Sequence, residues 1–392
     1  MLRSTTFLRL WTATTASGIA TWALPFVLGL AVLSRSLTAV ELGVLLAART
    51  AGFLAAVPVS GVLADRYARR RVVLVSGLVS ALAAPVLALS AGGSLMVAAL
   101  AAAAMGAGQG ACRPAFQALT AEVVAPDQRQ QANAAMTLSV RVTTLVAPGL
   151  TALLALVLNT QALLLGIGAL WLVAALVPPA GTGAVAGASG SGFVADFWEG
   201  VREARRHPWF LAGLGALTAV IATGYSATGV VLPLVSRDRY DTEAVLAGAL
   251  TAYTLGALAG ALLIARWRPR RAGWTALAGL ALYGFAPLSL LLPVHPVVVI
   301  AAYVVAGLGI ELFNVPWFTA TQREVEPSKL ARVSSLDFLM SYGLAPVGLA
   351  LIAPAIAAFG APAVLLVCAL ICFAAPALAA LVPSSRDFGP RR

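Results

Sequence analysis

The chain has 392 residues, of which 60% are hydrophobic and only 10% charged, and its formal net charge is +11. A soluble domain is nearer half apolar and about a quarter charged, so a soluble fold is excluded, and apolar stretches of about 20 residues, the depth of a bilayer core, recur along the whole length. The segments lack the residue-by-residue alternation of barrel strands, which leaves an all-α polytopic membrane protein.

The opening MLRSTTFLRLW runs straight into an apolar segment of spanning length, without a small-residue cleavage site. It reads as a first membrane helix, not a cleaved leader. Apolar runs between charged or turn-rich breaks then predict twelve spans, at 7–33, 41–63, 72–91, 94–118, 132–157, 160–178, 208–235, 244–265, 273–292, 296–320, 333–358 and 361–382. With the N-terminus inside, twenty of the 26 basic residues lie in the inner loops and tails, three (Arg35, Arg237, Arg239) outside and three within spans. Basic residues are retained on the cytoplasmic side, so both termini are expected there, in a bacterial cytoplasmic (inner) membrane. The basic excess is thereby topological and calls for no nucleic-acid partner.

Between spans six and seven, residues 179–192 form a Gly/Ser/Ala linker. FVADFWEGVREARRHP follows, with Phe193, Phe197 and Val201 at i, i+4, i+8 and Arg202, Arg205 and Arg206 off that stripe. This predicts an amphipathic helix lying on the cytoplasmic membrane surface. The organisation is therefore a six-helix bundle over 1–178, a linker with its helix over 179–207, a second six-helix bundle over 208–382, and a tail over 383–392. The halves also resemble each other. PAFQALTAEV (114–123) matches PWFTATQREV (316–325) at an offset of 202, and ARWRPRR (265–271) repeats the arginine spacing of DRYARRR (65–71) more weakly, with Ala265 opposite Asp65. Duplication of this kind marks secondary transporters built from two repeats around a midplane site.

GVLADRYARRR (61–71) lies between spans two and three. It resembles the signature of the major facilitator superfamily, G-x-L-A-D-R-x-x-R-R, at the expected position, and the likeness extends over the full chain. FLRLW, PAFQALTAEVVAP with QANA, and QREVEPSKLARVSSLDFL are similar to the bacterial exporter branch that includes the enterobactin exporter and macrolide-efflux proteins. The resemblance implies twelve helices in two pseudo-symmetric bundles and a cytoplasmic latch in the signature loop. In that latch Gly61 permits close helix approach, and Asp65 accepts hydrogen bonds at the N-terminus of the helix starting near Ser334. Arg66 and Arg70 pair with acids such as Asp337 or Glu122, and Arg71 completes the basic set. The chain also departs from the branch: ASGIATWALP carries no acid, Gly106 stands where the fourth-helix arginine is expected, and the fifth-helix motif is reduced to LVAPGL.

Charges within spans are costly and usually face a bundle interior or a wet cavity. Here they are Arg49, Arg113, Arg141, Glu311 and Asp337, while spans 3, 6, 9 and 12 carry none. Polar neighbours share their faces: Thr14, Gly18 and Thr21; Gln109 and Arg113; Thr137, Arg141 and Thr144; Glu311, Asn314 and Phe318. Glu311 is the proton or cation candidate, against a structural ion pair or a neutral buried acid. Arg141 is an anion-binding candidate. Arg49 and Arg113 have structural alternatives, and Asp337 can cap a helix, pair with Arg66 or face a cavity. Trp22, Tyr225, Tyr253 and Trp317 are candidate cavity aromatics or interfacial anchors. Cys112, Cys368 and Cys372 lie in apolar segments without a His or acid beside them, so they read as small core residues, and no metal site is expected. His207 and His295 sit beside prolines at helix boundaries.

No nucleophile–base pair or phosphate-cradling Gly loop appears, so an enzyme is not expected, and the lack of a Walker motif argues against ATP as the energy source. The expected function is a secondary transporter with no cofactor, driven by the proton gradient and exporting a small amphipathic or drug-like compound by alternating access. A facilitator or importer of a small, anionic metabolite and a non-transporting receptor or scaffold are the alternatives. The expected partners are a small-molecule substrate and the lipid bilayer, with the protein a monomer.

Overall fold

The computed structural model describes residues 4–90, 93–181, 193–343 and 345–389. Residues 182–192 of the expected linker, and Arg3, Arg391 and Arg392 of the tails, lie outside the described residues. Among the described residues the elements are all helical. The first half holds α1 (Thr5–Leu33), α2 (Ala39–Arg66), α3 (Arg69–Ser90), α4 (Leu95–Val123), α5 (Arg129–Leu154) and α6 (Thr160–Leu176). A short α7 (Phe193–Arg205) follows the linker. The second half holds α8 (Pro208–Val220), α9 (Ser226–Asp238), α10 (Ala244–Arg266), α11 (Ala272–Ala281), α12 (Phe285–Leu291) and α13 (Pro296–Glu324). It closes with α14 (Leu330–Gly343), α15 (Ala345–Phe359) and α16 (Ala361–Ala380).

Local chemistry sets the helix ends. Thr38 caps α2 in a reciprocal box, its hydroxyl accepting from Glu41 N while the Glu41 carboxylate accepts from Thr38 N at 2.7 Å. Asn159 starts α6 by accepting from Ala162 N at 2.8 Å. Such caps satisfy amides that a helix leaves without partners. Gly360 joins α15 to α16 at φ +81, a conformation that side chains resist.

Ten helical stretches among the described residues are long and apolar enough to cross a membrane. Two more apolar helices, 160–176 and 347–359, are shorter and fall in predicted spans six and eleven. Predicted span seven is α8 and α9, joined by a π-helical turn over Ile221–Tyr225. Predicted span eleven falls on α14 and α15, on either side of Leu344, which lies outside the described residues. Both α4 and α13 run beyond their predicted apolar limits, to Val123 and Glu324, because their last turns are polar but still helical.

The chain divides into two units. One comprises 1–132, 139–201 and 325–336; the other comprises 133–138, 202–324 and 337–392. The division does not follow chain order: a short segment of each half packs with the other unit. Within the first unit α2 lies against α4, and α3 against α4 and α6. In the second unit α10 lies against α13, and α11 against α13 and α16. The leading helix pair of each unit meets backbone to backbone. A Cβ added at Gly52 or Gly106 would strike the Ala103 or Arg49 carbonyl, and one at Gly256 or Gly307 would strike those of Val304 or Tyr253. Small residues matter here because lipid gives apolar side chains no reason to leave it, so packing depends on close approach.

Gly307→Leu is therefore expected to lower the thermal midpoint in detergent, by overpacking worth about 1–3 kcal/mol. Gly166→Leu, where an added Cβ meets nothing within 4 Å, is expected to leave it unchanged.

Candidate functional site

The signature loop is the best-defined polar site in the first unit. Asp65, in the last turn of α2, has a side chain with no solvent exposure. Its Oδ1 accepts from Ala331 N at 3.1 Å and its Oδ2 from Arg332 N at 3.0 Å. Both amides belong to the first turn of α14, where the helix dipole and unsatisfied N–H groups favour an anion. The helix begins at Leu330, one turn before the Ser334 start drawn from the sequence. Gly61 stands one turn before Asp65, and a Cβ there would meet the Ser335 Cβ at 2.6 Å.

The arginines find partners that were not expected. Arg66 pairs with Asp196 of α7. Glu122 is held at 3.1 Å by Arg69, whose other terminal nitrogen donates to the Pro327 carbonyl. Among the described residues Arg70 pairs with no acid; it donates to the carbonyls of Pro178 at 2.8 Å and Leu176 at 2.9 Å, at the end of α6. Arg71 is exposed. An acid from distant sequence, brought in by α7, thus holds Arg66.

The helix α7 forms where its pattern predicts, but its acidic face is the buried one. Asp196 is fully buried, and Gly200, Glu203 and Ala204 are buried with it, while Trp198 is 52% exposed. At Gly200 an added Cβ would meet the Arg332 Cβ at 2.8 Å. Arg332 binds Glu199 at 2.7 Å and lies 3.7 Å from Asp196 and 3.4 Å from Asp65. Lys329 lies between Glu326 at 3.1 Å and Glu199 at 3.8 Å. The helix is thus docked on protein through acids at i, i+3, where the apolar stripe had suggested a membrane surface. Asp196, Glu199, Lys329 and Arg332 were all missed by sequence reasoning. The Asp196, Glu199 and Glu203 spacing on one helix face was the available signal.

Inside the spans, two candidates come together. Arg49 donates through Nη2 to Gln109 Oε1 at 2.7 Å and to the Thr21 carbonyl at 3.2 Å, tying α2 to α4 and α1. Arg113 and Arg141 are half-buried on α4 and α5. In the second unit Glu311 is wholly buried near the middle of the 29-residue α13, and Asn314 is half-buried one turn on. Asp337 is buried and accepts from Trp317 Nε1 and from Ser341 Oγ, both at 3.3 Å. It lies inside α14 and caps no helix.

The aromatic candidates separate. Trp317 is fully buried, stacked on Phe210 and Phe313 with centroids 4.9 and 5.3 Å away and packed edge-on to Trp209 and Phe388. It is a core residue, not a cavity lining, because the tail turns back to insert Phe388 beside it. Tyr225 and Tyr253 each lie 6.3 Å from Tyr283, whose hydroxyl is 2.9 Å from Thr228 Oγ1. Trp22 is 38% exposed on α1. The cysteines are buried, and no metal-holding cluster of His, Cys, Asp or Glu occurs among the described residues.

A second polar contact was also missed. Asn133, in the first turns of α5, exchanges amide hydrogen bonds with Gln322 of α13 at 3.0 and 3.2 Å, and donates to Thr319 at 3.0 Å. Next to it Ala134 packs against Ile264, Leu312 and Val315, with Ala265 at the edge.

Two helical units with a docked signature loop define a multi-pass membrane transporter. The sequence pattern of the Major Facilitator Superfamily matches residues 10–348, with a second match over 214–391, and the chain belongs to that superfamily. Among solved structures it is similar to the human organic anion transporter MFSD10 (TETRAN), at 17% identity and TM-score 0.77 over 96% of this chain and 99% of that one. It is also similar to a bacterial homologue of the iron transporter ferroportin in an outward-facing state, at 17% identity and TM-score 0.74 over 97% of each chain. No curated relative matches by sequence. The chain is a transporter and not an enzyme.

Asp196→Asn removes the charge that Arg66 and Arg332 share, a loss of about 1.5–3 kcal/mol for hydrogen bonds to charged groups. Deuterium exchange is expected to rise across 193–205 and 327–332 and to stay unchanged in α4.

Proposed function

We propose that this transporter is a proton-coupled exporter of a small amphipathic compound, drug-like or a secondary metabolite, working by alternating access. It would sit in a bacterial cytoplasmic membrane with both termini inside. The observation that carries the reading is Glu311, a carboxyl group with no solvent exposure in the middle of a spanning helix. Ionisable groups inside spanning helices usually face a bundle interior and mark proton or ion pathways. Proton entry from outside would neutralise it, and release inside would restore the charge. The exporter direction is supported by the sequence likeness of FLRLW, PAFQALTAEVVAP and QREVEPSKLARVSSLDFL to the exporter branch.

A specific observation favours a second reading, a facilitator or importer of a small anionic metabolite. Arg49 is a half-buried cation whose partners, Gln109 and the Thr21 carbonyl, are neutral. A guanidinium held in place by neutral groups keeps its charge available to a carboxylate or phosphate. A similar solved structure is named as an organic anion transporter.

The test uses an efflux-deficient bacterium challenged with a panel of toxic compounds. Wild type is expected to confer resistance that Glu311→Gln loses completely at equal membrane expression. Resistance untouched by Glu311→Gln would remove Glu311 as the coupling site. Absence of resistance, together with uptake of a labelled organic acid that Arg49→Gln abolishes, would replace export with the second reading.

A further inference from the structure

Once the ion pairs around the signature loop are assigned, two of its arginines remain without an acid among the described residues. Arg70 is satisfied at Nε and Nη2 by backbone carbonyls, and its Nη1 is buried with no partner among the described residues. Arg71 is exposed, and its side chain makes no hydrogen bond or ion pair among the described residues. Both line a cavity of about 430 Å³ in the first unit, together with Arg69, Leu74, Glu122 and Gly181. Glu122, the acid in the lining, is already engaged by Arg69 at 3.1 Å. Three guanidinium groups therefore face one carboxylate, at the positive end of the 22-residue α3.

The surroundings select the anion. Arg71 stands at the head of a stripe on α3 formed by Val75, Val79, Leu82, Val86 and Leu89, all exposed large apolar residues. Their spacing places them on one helix face directly below Arg71. In a bilayer that face meets acyl chains, and the cavity opens at headgroup level on the side where the basic residues collect. A soluble phosphate would need the arginines but has no use for the stripe. A phospholipid uses both.

We propose that this cavity binds the phosphate headgroup of an anionic phospholipid, with Arg70 Nη1 and Arg71 as donors and the acyl chains laid along the Val75–Leu89 stripe. Arginine suits phosphate by its paired, fixed N–H groups, and basic pockets on the cytoplasmic side of membrane helices are the usual setting for such headgroups. The site shares Arg69 and Glu122 with the signature loop. A bound headgroup would compete with Glu122 for Arg69, which also holds the Pro327 carbonyl.

The experiment compares retention of phosphatidylglycerol and phosphatidylcholine by the full chain, released from mixed micelles and read by native mass spectrometry. Wild type should keep phosphatidylglycerol preferentially. Arg71→Ala, which removes no hydrogen bond or ion pair among the described residues, should weaken that preference about fivefold, and the Arg70→Gln, Arg71→Ala double variant further. The thermal midpoint in phosphatidylcholine micelles should be unchanged for Arg71→Ala, which separates lipid loss from misfolding. Equal retention of the two lipids, or a preference that Arg71→Ala leaves intact, would overturn the proposal. Displacement of the lipid by millimolar inorganic phosphate or glycerol phosphate would also overturn it, in favour of a soluble anion.

Discussion

The signature-loop end of the first unit depends on one desolvated carboxylate. Asp65 sits with no exposed side-chain surface, and a charge so placed is tolerable only with hydrogen bonds to spare. It finds them in two consecutive amides at the start of α14, groups that would themselves be unsatisfied. Each side solves the other's problem. The rest of the 325–336 segment then follows: Arg69 takes the Pro327 carbonyl, Ser335 fills the space over Gly61, and Arg332 and Lys329 are met by acids of α7. That is why a segment of the second half packs with the first unit.

The internal duplication makes the asymmetry informative. Ala265 stands opposite Asp65 in the repeat, and it packs at the edge of a small apolar cluster around Ala134. The start of α5 is held in the second unit by that cluster and by the Asn133–Gln322 amide pair. One contact is ionic and the other neutral. An ionic contact responds to charge, lipid and protonation in ways that an apolar one does not, so control is expected to lie with Asp65.

The spans, the signature and the placement of Asp65 over a helix start were legible because each rests on local pattern: apolar length, a compact motif, one acid among arginines. The polar last turns of α4 and α13 were not, since the apolar runs stop short of them. The arginine partners were not legible either. Asp196 and Glu199 lie some 130 residues from the loop they serve, and their helix advertised its apolar stripe more loudly than its acids. Trp317 looked like a cavity aromatic because nothing local announces that Phe388 returns to cover it. Long-range pairing, not local structure, was where the sequence reading fell short.

The latch depends on the Asp65 charge holding the start of α14. Asn at position 65 keeps the shape but turns an N–H₂ toward one of the two backbone amides, so one hydrogen bond is replaced by opposed donors. Double electron–electron resonance between spin labels at the exposed positions Tyr67 and Glu326 reads the separation directly. Asp65→Asn is predicted to add a longer-distance population while the protein remains folded and binds its substrate. An unchanged distance distribution in the folded variant would contradict the account.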